Sequence, residues 1–292
     1  MNIKTFTHFL ALAEKLHFGR ASHYCNISIS ALSRNIRQLE EALGVSLFNR
    51  DNRSVTLTTE GEKFQQYART VTSGWELICS ELADPNRQLS GELSLYCSVT
   101  ASYSILFNLL EQFRPNYPDI EIKLHTGDPE HAIERIAAGQ EDISIAAHPP
   151  TLRRGVIFKA ITQSPLVFIA PIAHRDIDLF NLHKSPEMWA DVPMVLPETG
   201  IARNRVDHWF KNIGISPRIY AQVEGYEAIV SMVSLGFGVG VIPKIVLDNS
   251  PLAQRIQILE IQPELETFNV GLFTLKRNLK NPLVAAFWAS VK

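Results

Sequence analysis

Phe18-Gly-Arg-Ala-Ser-His-Tyr-Cys-Asn-Ile-Ser-Ile-Ser-Ala-Leu-Ser-Arg-Asn-Ile-Arg37 is the stretch that decides how this chain is read. It predicts a short helix, a tight turn and a second helix whose polar face carries Ser30, Ser33, Arg34 and Arg37. Small hydroxyls and guanidiniums near the start of a second helix suit entry into a DNA major groove, with the N-terminal residues against base edges. Ahead of it, Phe6, Phe9, Leu10 and Ala13 recur at helical spacing and supply an apolar stripe for both helices to pack on. Behind it, Leu32, Ile36, Leu39 and Leu43 place one face of the second helix in a core, which turns Ser33, Arg34 and Arg37 elsewhere. On periodicity alone, the same polar residues read equally well as the solvated side of a surface helix.

The next residues favour the first reading. Leu47 to Thr58 holds two apolar runs around an Asp-Asn turn, which predicts a small hairpin with Arg50 and Arg53 at its ends or tip. A wing placed there would set these guanidiniums against phosphates. Residues 1–58 carry seven basic side chains against four acidic ones, a net +3, while the rest of the chain carries 21 against 26, a net −5. Charge is thus segregated along the sequence, as a module that meets phosphate at one end requires.

A chain of 292 residues allows about two domains and a sizeable core. Its 46% hydrophobic and 20% charged residues are ordinary for a globular protein. No cationic segment followed by an apolar run opens the sequence, so no secretory signal is expected. The longest apolar stretch, Ile229 to Pro243, is broken by Ser231, Ser234 and three glycines and is too short for a bilayer. Cys25, Cys79 and Cys97 are isolated, which points to a reducing compartment, hence the cytoplasm, and away from a disulfide framework or zinc site. No HExxH or clustered ligand set appears, and Asp207-His208 has no nucleophile motif beside it. Gly236-Phe-Gly-Val-Gly240 lacks the spacing of a phosphate loop and reads as a helix end turning into a buried strand. The expectation is a protein without metal or cofactor, and an enzyme reading has no residues to stand on.

From Thr59, a potential cap, to Pro85 no proline interrupts a helical pattern. Phe64, Ala68, Val71, Trp75, Ile78 and Leu82 form an a/d seam over three heptads. Such a seam either packs on its own domain or pairs with a second copy, and its place between domains favours pairing. The polar segment from Asp84 to Gly91 reads as a hinge. Beyond it strands and helices alternate: strand 92–98, helix 102–113, strand 120–125, helix 130–138, strands 142–147 and 166–170. The pattern then restarts with strand 194–196, helix 201–212, strand 220–223, helix 226–235 and strand 239–242, and closes with strand 268–274 and helix 282–291. This alternation predicts mostly parallel sheets in two lobes joined by crossing strands.

These features resemble the LysR-type family of bacterial transcriptional regulators over essentially the full length. The carrying residues are Ala31-Leu-Ser-Arg-Asn-Ile-Arg-Gln-Leu-Glu-Glu-Ala-Leu-Gly44, Leu47-Phe-Asn-Arg50, Leu57-Thr-Thr-Glu-Gly61, Phe113 with Pro118, and Val233-Ser-Leu-Gly-Phe-Gly-Val-Gly-Val-Ile-Pro243. The resemblance implies an α+β multidomain chain. A winged helix-turn-helix (1–58) and a dimerising linker helix (59–88) would precede a two-lobed, periplasmic-binding-protein-like α/β effector domain. Lobe I would comprise 89–163 and 268–292, and lobe II 164–267. It further implies an operator duplex as partner, a homodimer assembling as a tetramer, and, for an activator, RNA polymerase as a further candidate partner. Within the family the likeness is strongest to a branch that activates the acetohydroxy acid isomeroreductase gene. That likeness implies a small branched hydroxy-keto acid, acetolactate or acetohydroxybutyrate, as effector. The alternatives are a regulator of another pathway, or a solute-binding or enzymatic α/β protein.

Many members begin the recognition helix with a polar residue followed by Pro; here the pair is Ile29-Ser30. Ile29 can touch a thymine methyl but cannot hydrogen-bond a base. The expected DNA-contacting set is Ser28, Ile29, Ser30, Ser33, Arg34, Arg37, Arg50 and Arg53. Ligands of two-lobed α/β proteins sit beyond strand ends, near helix N-termini. Ser98, Thr100, Ala101 and Ser102 follow the first strand and offer hydroxyls and backbone N–H groups to a carboxylate, or simply cap the helix. Gly127, Asp128 and His148 would face the same cleft from the first lobe, and Thr199 and Gly200 from the second. His148 reads equally as a solvated loop residue.

Overall fold

The computed structural model describes residues 2–50, 54–83, 89–172 and 186–291. Arg53 and the side chain of Leu82 lie outside the described residues. Each N-terminal helix starts where a side chain satisfies an orphan N–H. Asn2 accepts from Thr5 N ahead of α1 (Ile3–Lys15), His17 Nδ1 from Gly19 and Arg20 N ahead of α2 (Phe18–Tyr24), and Ser28 Oγ from Ala31 N ahead of α3 (Ile29–Leu43). Gly44, at φ 70°, stops α3 in the left-handed conformation that a glycine adopts without strain. Strands β1 (Phe48–Arg50) and β2 (Val55–Leu57) pair antiparallel as the expected hairpin. Phe9, Leu12, Leu32, Ile36 and Leu39 close the core, each contributing about 1.5–3 kcal/mol. Leu43, expected among them, reaches solvent at the last turn.

Helix α4 (Thr59–Ala83) completes this core. Thr58, not Thr59, caps it, accepting from Gly61 N at 2.9 Å. Phe64 packs against Phe6 and Phe9, with ring centroids 5.6 and 4.9 Å away, and Ala68 is buried. The first half of the a/d seam is therefore intramolecular core. The second half is different: Trp75 is 52% exposed and Ile78 42%. The helix also grips the next domain. Gln66 Nε2 donates to Ala138 O at 2.8 Å, and Arg69 to Gly139 O at 2.9 Å.

After residue 88 come β3 (Gly91–Cys97), α5 (Val99–Ala101), a π-helical turn (Ser102–Leu106), α6 (Phe107–Phe113), β4 (Ile120–Thr126), α7 (Ala132–Ala137), β5 (Ile143–Ala147) and β6 (Val156–Ser164). Then follow β7 (Leu166–Pro171), β8 (Pro193–Pro197), α8 (Gly200–Asn212), β9 (Arg218–Val223), α9 (Tyr226–Ser234), β10 (Val239–Pro243), α10 (Lys244–Asp248), β11 (Ile256–Leu259), β12 (Phe268–Leu275) and α11 (Pro282–Ser290). Two five-stranded sheets result, in the orders β4-β3-β5-β12-β6 and β11-β7-β10-β8-β9. They are mixed: the expected shared direction holds for four strands of each sheet, and one strand in each is reversed. In the first sheet β4, β3, β5 and β6 share one direction and in the second β11, β10, β8 and β9 do, while β12 and β7 run antiparallel to both neighbours. The reason is connectivity: β7 and β12 are the strands by which the chain arrives from the other lobe. The alternation pattern also passed over β6, α10 and β11. Among the described residues no helix is long and apolar enough to cross a membrane, and no metal-binding cluster is found.

Candidate functional site

The first candidate is the exposed face of α3. Leu32, Ile36 and Leu39 anchor it from below, and Asn35 Nδ2 meets His8 Nδ1 of α1 at 2.9 Å. Ser28, Ile29, Ser30, Arg34 and Arg37 are exposed, and Ser33 is half-buried. Ser28 is occupied as the cap, with its hydroxyl 3.0 Å from that of Ser30. Arg34 and Arg37 have no ion-pair partner among the described residues, so their donors remain free. Arg50 is not free in this way. Its guanidinium pairs with Glu40 of α3 and sits 5.5 Å from the Phe18 ring centroid. Glu40 Oε1 also accepts from Leu47 N and Phe48 N, so this carboxylate fastens the hairpin root to α3. The placement gives Arg50 a structural partner that the sequence did not reveal.

The second candidate is a cavity of about 340 Å³ between the two sheets' domains. Its walls are mostly aliphatic, with Ile105, Ile133 and Ile145 from one lobe and Ile201, Ile245 and Val246 from the other. Ser98, Thr100 and Ala101 line it, as does Ser104 of the π turn. Such turns often mark functional positions. Several donors at this junction are already engaged, although the Ser98 hydroxyl only accepts and keeps its own O–H. Ser98 Oγ accepts from Ala101 N at 3.1 Å, while Thr100 N, at 3.0 Å, and its hydroxyl both donate to Glu227 Oε1 of α9. Ser102 turns its hydroxyl back to Val99 O at 2.6 Å.

A reciprocal contact runs the other way. Glu130 Oε1 accepts from Ile201 N at 3.1 Å, at the start of α8. Gly200, at φ 97°, allows this approach, since a Cβ there would fall 2.0 Å from Glu130 Cδ. Burial pushes the Glu130 carboxyl above its ordinary pKa, an effect that Asp128 reinforces and that the Ile201 N–H and His131 oppose. Tyr226 also lines the cavity. Burial, with the Glu130 and Asp128 carboxylates, raises its phenol pKa and keeps the proton on.

The remaining expected residues scatter. Asp128 and Thr199 line a second, smaller pocket between the lobes rather than the main cavity. There Asp128 caps the 3₁₀ turn Pro129–His131, accepting from Glu130 N at 2.8 Å. Gly127 packs on Tyr96, whose hydroxyl would lie 2.5 Å from an added Cβ. His148 lies outside the cavity lining, its ring centroid 4.5 Å from that of Phe158 and 6.2 Å from that of Phe273. Sequence reasoning missed Glu130, Arg153, Tyr226 and Glu227. Of these, Tyr226 and Glu227 carried a local signal, because they open a helix directly after a strand.

The chain is similar to known proteins in sequence and in fold. The profile described as bacterial regulatory helix-turn-helix protein, LysR family, matches residues 3–62, and the LysR substrate binding domain matches residues 86–292. The transcriptional activator IlvY of Haemophilus influenzae is 43% identical over 97% of both chains. The transcriptional regulator IlvY of Escherichia coli is 41% identical over 99% of this chain and 98% of its own. Among solved structures, full-length OxyR from Pseudomonas aeruginosa has a TM-score of 0.73 at 23% identity, covering 100% of this chain and 94% of its own. Full-length CbnR complexed with its target DNA has 0.64 at 23%, covering 100% and 99%.

Proposed function

This chain belongs to the LysR family of DNA-binding transcriptional regulators and is an activator of that type, and from that premise we propose which genes and which effector it serves. In our reading it activates branched-chain amino acid synthesis in the cytoplasm in response to a small branched hydroxy-keto acid, acetolactate or acetohydroxybutyrate. Residues 1–58 bind an operator duplex, 59–88 join two copies, and the two lobes, 89–163 with 268–292 and 164–267, hold the effector. The dimers assemble as a tetramer that meets RNA polymerase at the promoter.

One observation carries the effector reading. A cavity of about 340 Å³ with aliphatic walls and a few polar groups has room and apolar surface for a five- or six-carbon branched acid. Full-length identity of 41–43% to activators named IlvY supports the pathway. Trp75 and Ile78, exposed on α4, support self-pairing through the linker. Of the expected contacts, Ser98, Thr100 and Ala101 line the cavity, whereas Ser102, Gly127, Asp128, His148, Thr199 and Gly200 are not part of its lining.

The test combines the purified protein with duplex from the acetohydroxy acid isomeroreductase promoter, with and without 2-acetolactate. Expected are salt-dependent, sequence-selective binding and an effector-dependent rise in transcription in vitro. Selective binding with no response to either hydroxy-keto acid would assign the chain to another pathway.

A further inference from the structure

Thr100 has one N–H and one O–H to donate, and both already go to Glu227 Oε1. An anion arriving in the cavity therefore finds Thr100 engaged and a second carboxylate close by, a repulsive setting. The Ala101 N–H is likewise taken, by Ser98. Of the cavity-lining groups, Glu130 is an acceptor bound to Ile201 N, and Ser104 donates its hydroxyl to Thr100 O. The Ser98 hydroxyl, which accepts without donating, and the Thr151 hydroxyl keep neutral O–H donors, and two further groups stand beside them. Arg153 is the cationic side chain in the lining and has no ion-pair or hydrogen-bond partner for its guanidinium among the described residues. Tyr226 has a protonated phenol and, among the described residues, no hydrogen-bond partner for it.

We infer that Arg153 and Tyr226 are the specificity-determining pair of this cleft: the guanidinium holds the effector carboxylate, and the phenol donates to its keto or hydroxyl oxygen. The assignment rests on the effector reading above and deepens it. A guanidinium presents a planar fork that a carboxylate fills with two parallel bonds, which a neutral ligand cannot reproduce. Arg153 is solvent-exposed at the cavity mouth, where it can meet a charged ligand before the ligand's alkyl groups reach the isoleucine walls. The pair thus reads charge at one point and oxygenation at another, while the walls read branching.

The experiment is calorimetric titration of the full-length protein with 2-acetolactate and, separately, with its neutral methyl ester. For the wild-type protein the acid should bind at least tenfold more tightly than the ester. Arg153→Gln should lower affinity for the acid by at least tenfold, to near that of the ester, and leave ester and operator binding unchanged. Arg153→Lys should restore part of the loss. Tyr226→Phe should weaken acid and ester by a similar factor, because both keep the keto and hydroxyl groups. Undiminished binding of the acid by Arg153→Gln, or equal wild-type affinity for acid and ester, overturns the assignment while leaving the effector reading intact. No binding of the acid to wild-type protein overturns that reading, and this assignment with it.

Discussion

The cross-lobe bond between Glu227 and Thr100 can be weighed directly. Thr100 is 2% exposed, so in Glu227→Ala its N–H and O–H lose a charged acceptor where water cannot readily replace it. Hydrogen bonds to charged groups contribute about 1.5–3 kcal/mol each, and the partial exposure of Glu227 argues for the lower end. A cooperative unit of 150–250 residues loses about 2–4 °C of melting temperature per kcal/mol. Two bonds at about 1.5 kcal/mol each come to about 3 kcal/mol, so the regulatory region of Glu227→Ala should melt roughly 6–12 °C below wild type. Glu227→Gln keeps an acceptor oxygen without the charge and should lose roughly half as much. Differential scanning calorimetry of the full-length protein at pH 7 reads both. If Glu227→Ala melts within about 1 °C of wild type, the bond does not hold the lobes together.

Other perturbations separate the remaining parts. Arg34→Ala should weaken cognate DNA by roughly 1–3 kcal/mol and relax preference at one base pair, read by fluorescence anisotropy on cognate and random duplexes. Unchanged preference would remove Arg34 from base contact. Glu40→Ala releases Arg50 together with the N–H groups of Leu47 and Phe48, and should destabilise the N-terminal module by about 2–3 kcal/mol in urea unfolding. A midpoint equal to wild type would contradict the fastening role. Trp75→Asp together with Ile78→Asp should give monomers in sedimentation velocity with poor operator affinity, and a wild-type oligomer would clear this face of α4. Gly200→Ala sets a Cβ against Glu130 at positive φ and should destabilise the regulatory region by about 2 kcal/mol or more, checked by calorimetry.

What the sequence disclosed and what it withheld follow one physical division. Local signals were legible: the Phe6 and Phe9 stripe, the Leu32–Ile36–Leu39 face, the turn between Tyr24 and Ile29, and the junction after Cys97 all depend on residues close in sequence. Pairings across the chain were not. Thr100 and Glu227 are 127 residues apart, and Glu130 and Ile201 are 71 apart, with nothing local at either end to announce the partner. The reversal of β7 and β12 was hidden for the same reason, since their antiparallel entry depends on where the preceding strand lies. Strand β6 escaped notice because Lys159, Thr162 and Gln163 break its apolar alternation at a sheet edge. Arg50 read as a phosphate contact because its partner Glu40 lies on another element, ten residues earlier.

The strand order also governs how the protein is made. β12 lies between β5 and β6, so an interior position of the first sheet is filled by a strand made only after all strands of the second sheet. The second sheet needs only β7 to β11, which are contiguous and complete some ten residues before β12 emerges. During synthesis lobe II can close while lobe I waits with β5 and β6 unpaired along the edges that β12 will join. A chain cut before Phe268 would therefore keep its DNA-reading helix and its second lobe but leave two open strand edges, a template for association with other chains. Premature termination in this architecture yields an aggregation-prone product, not a shortened regulator.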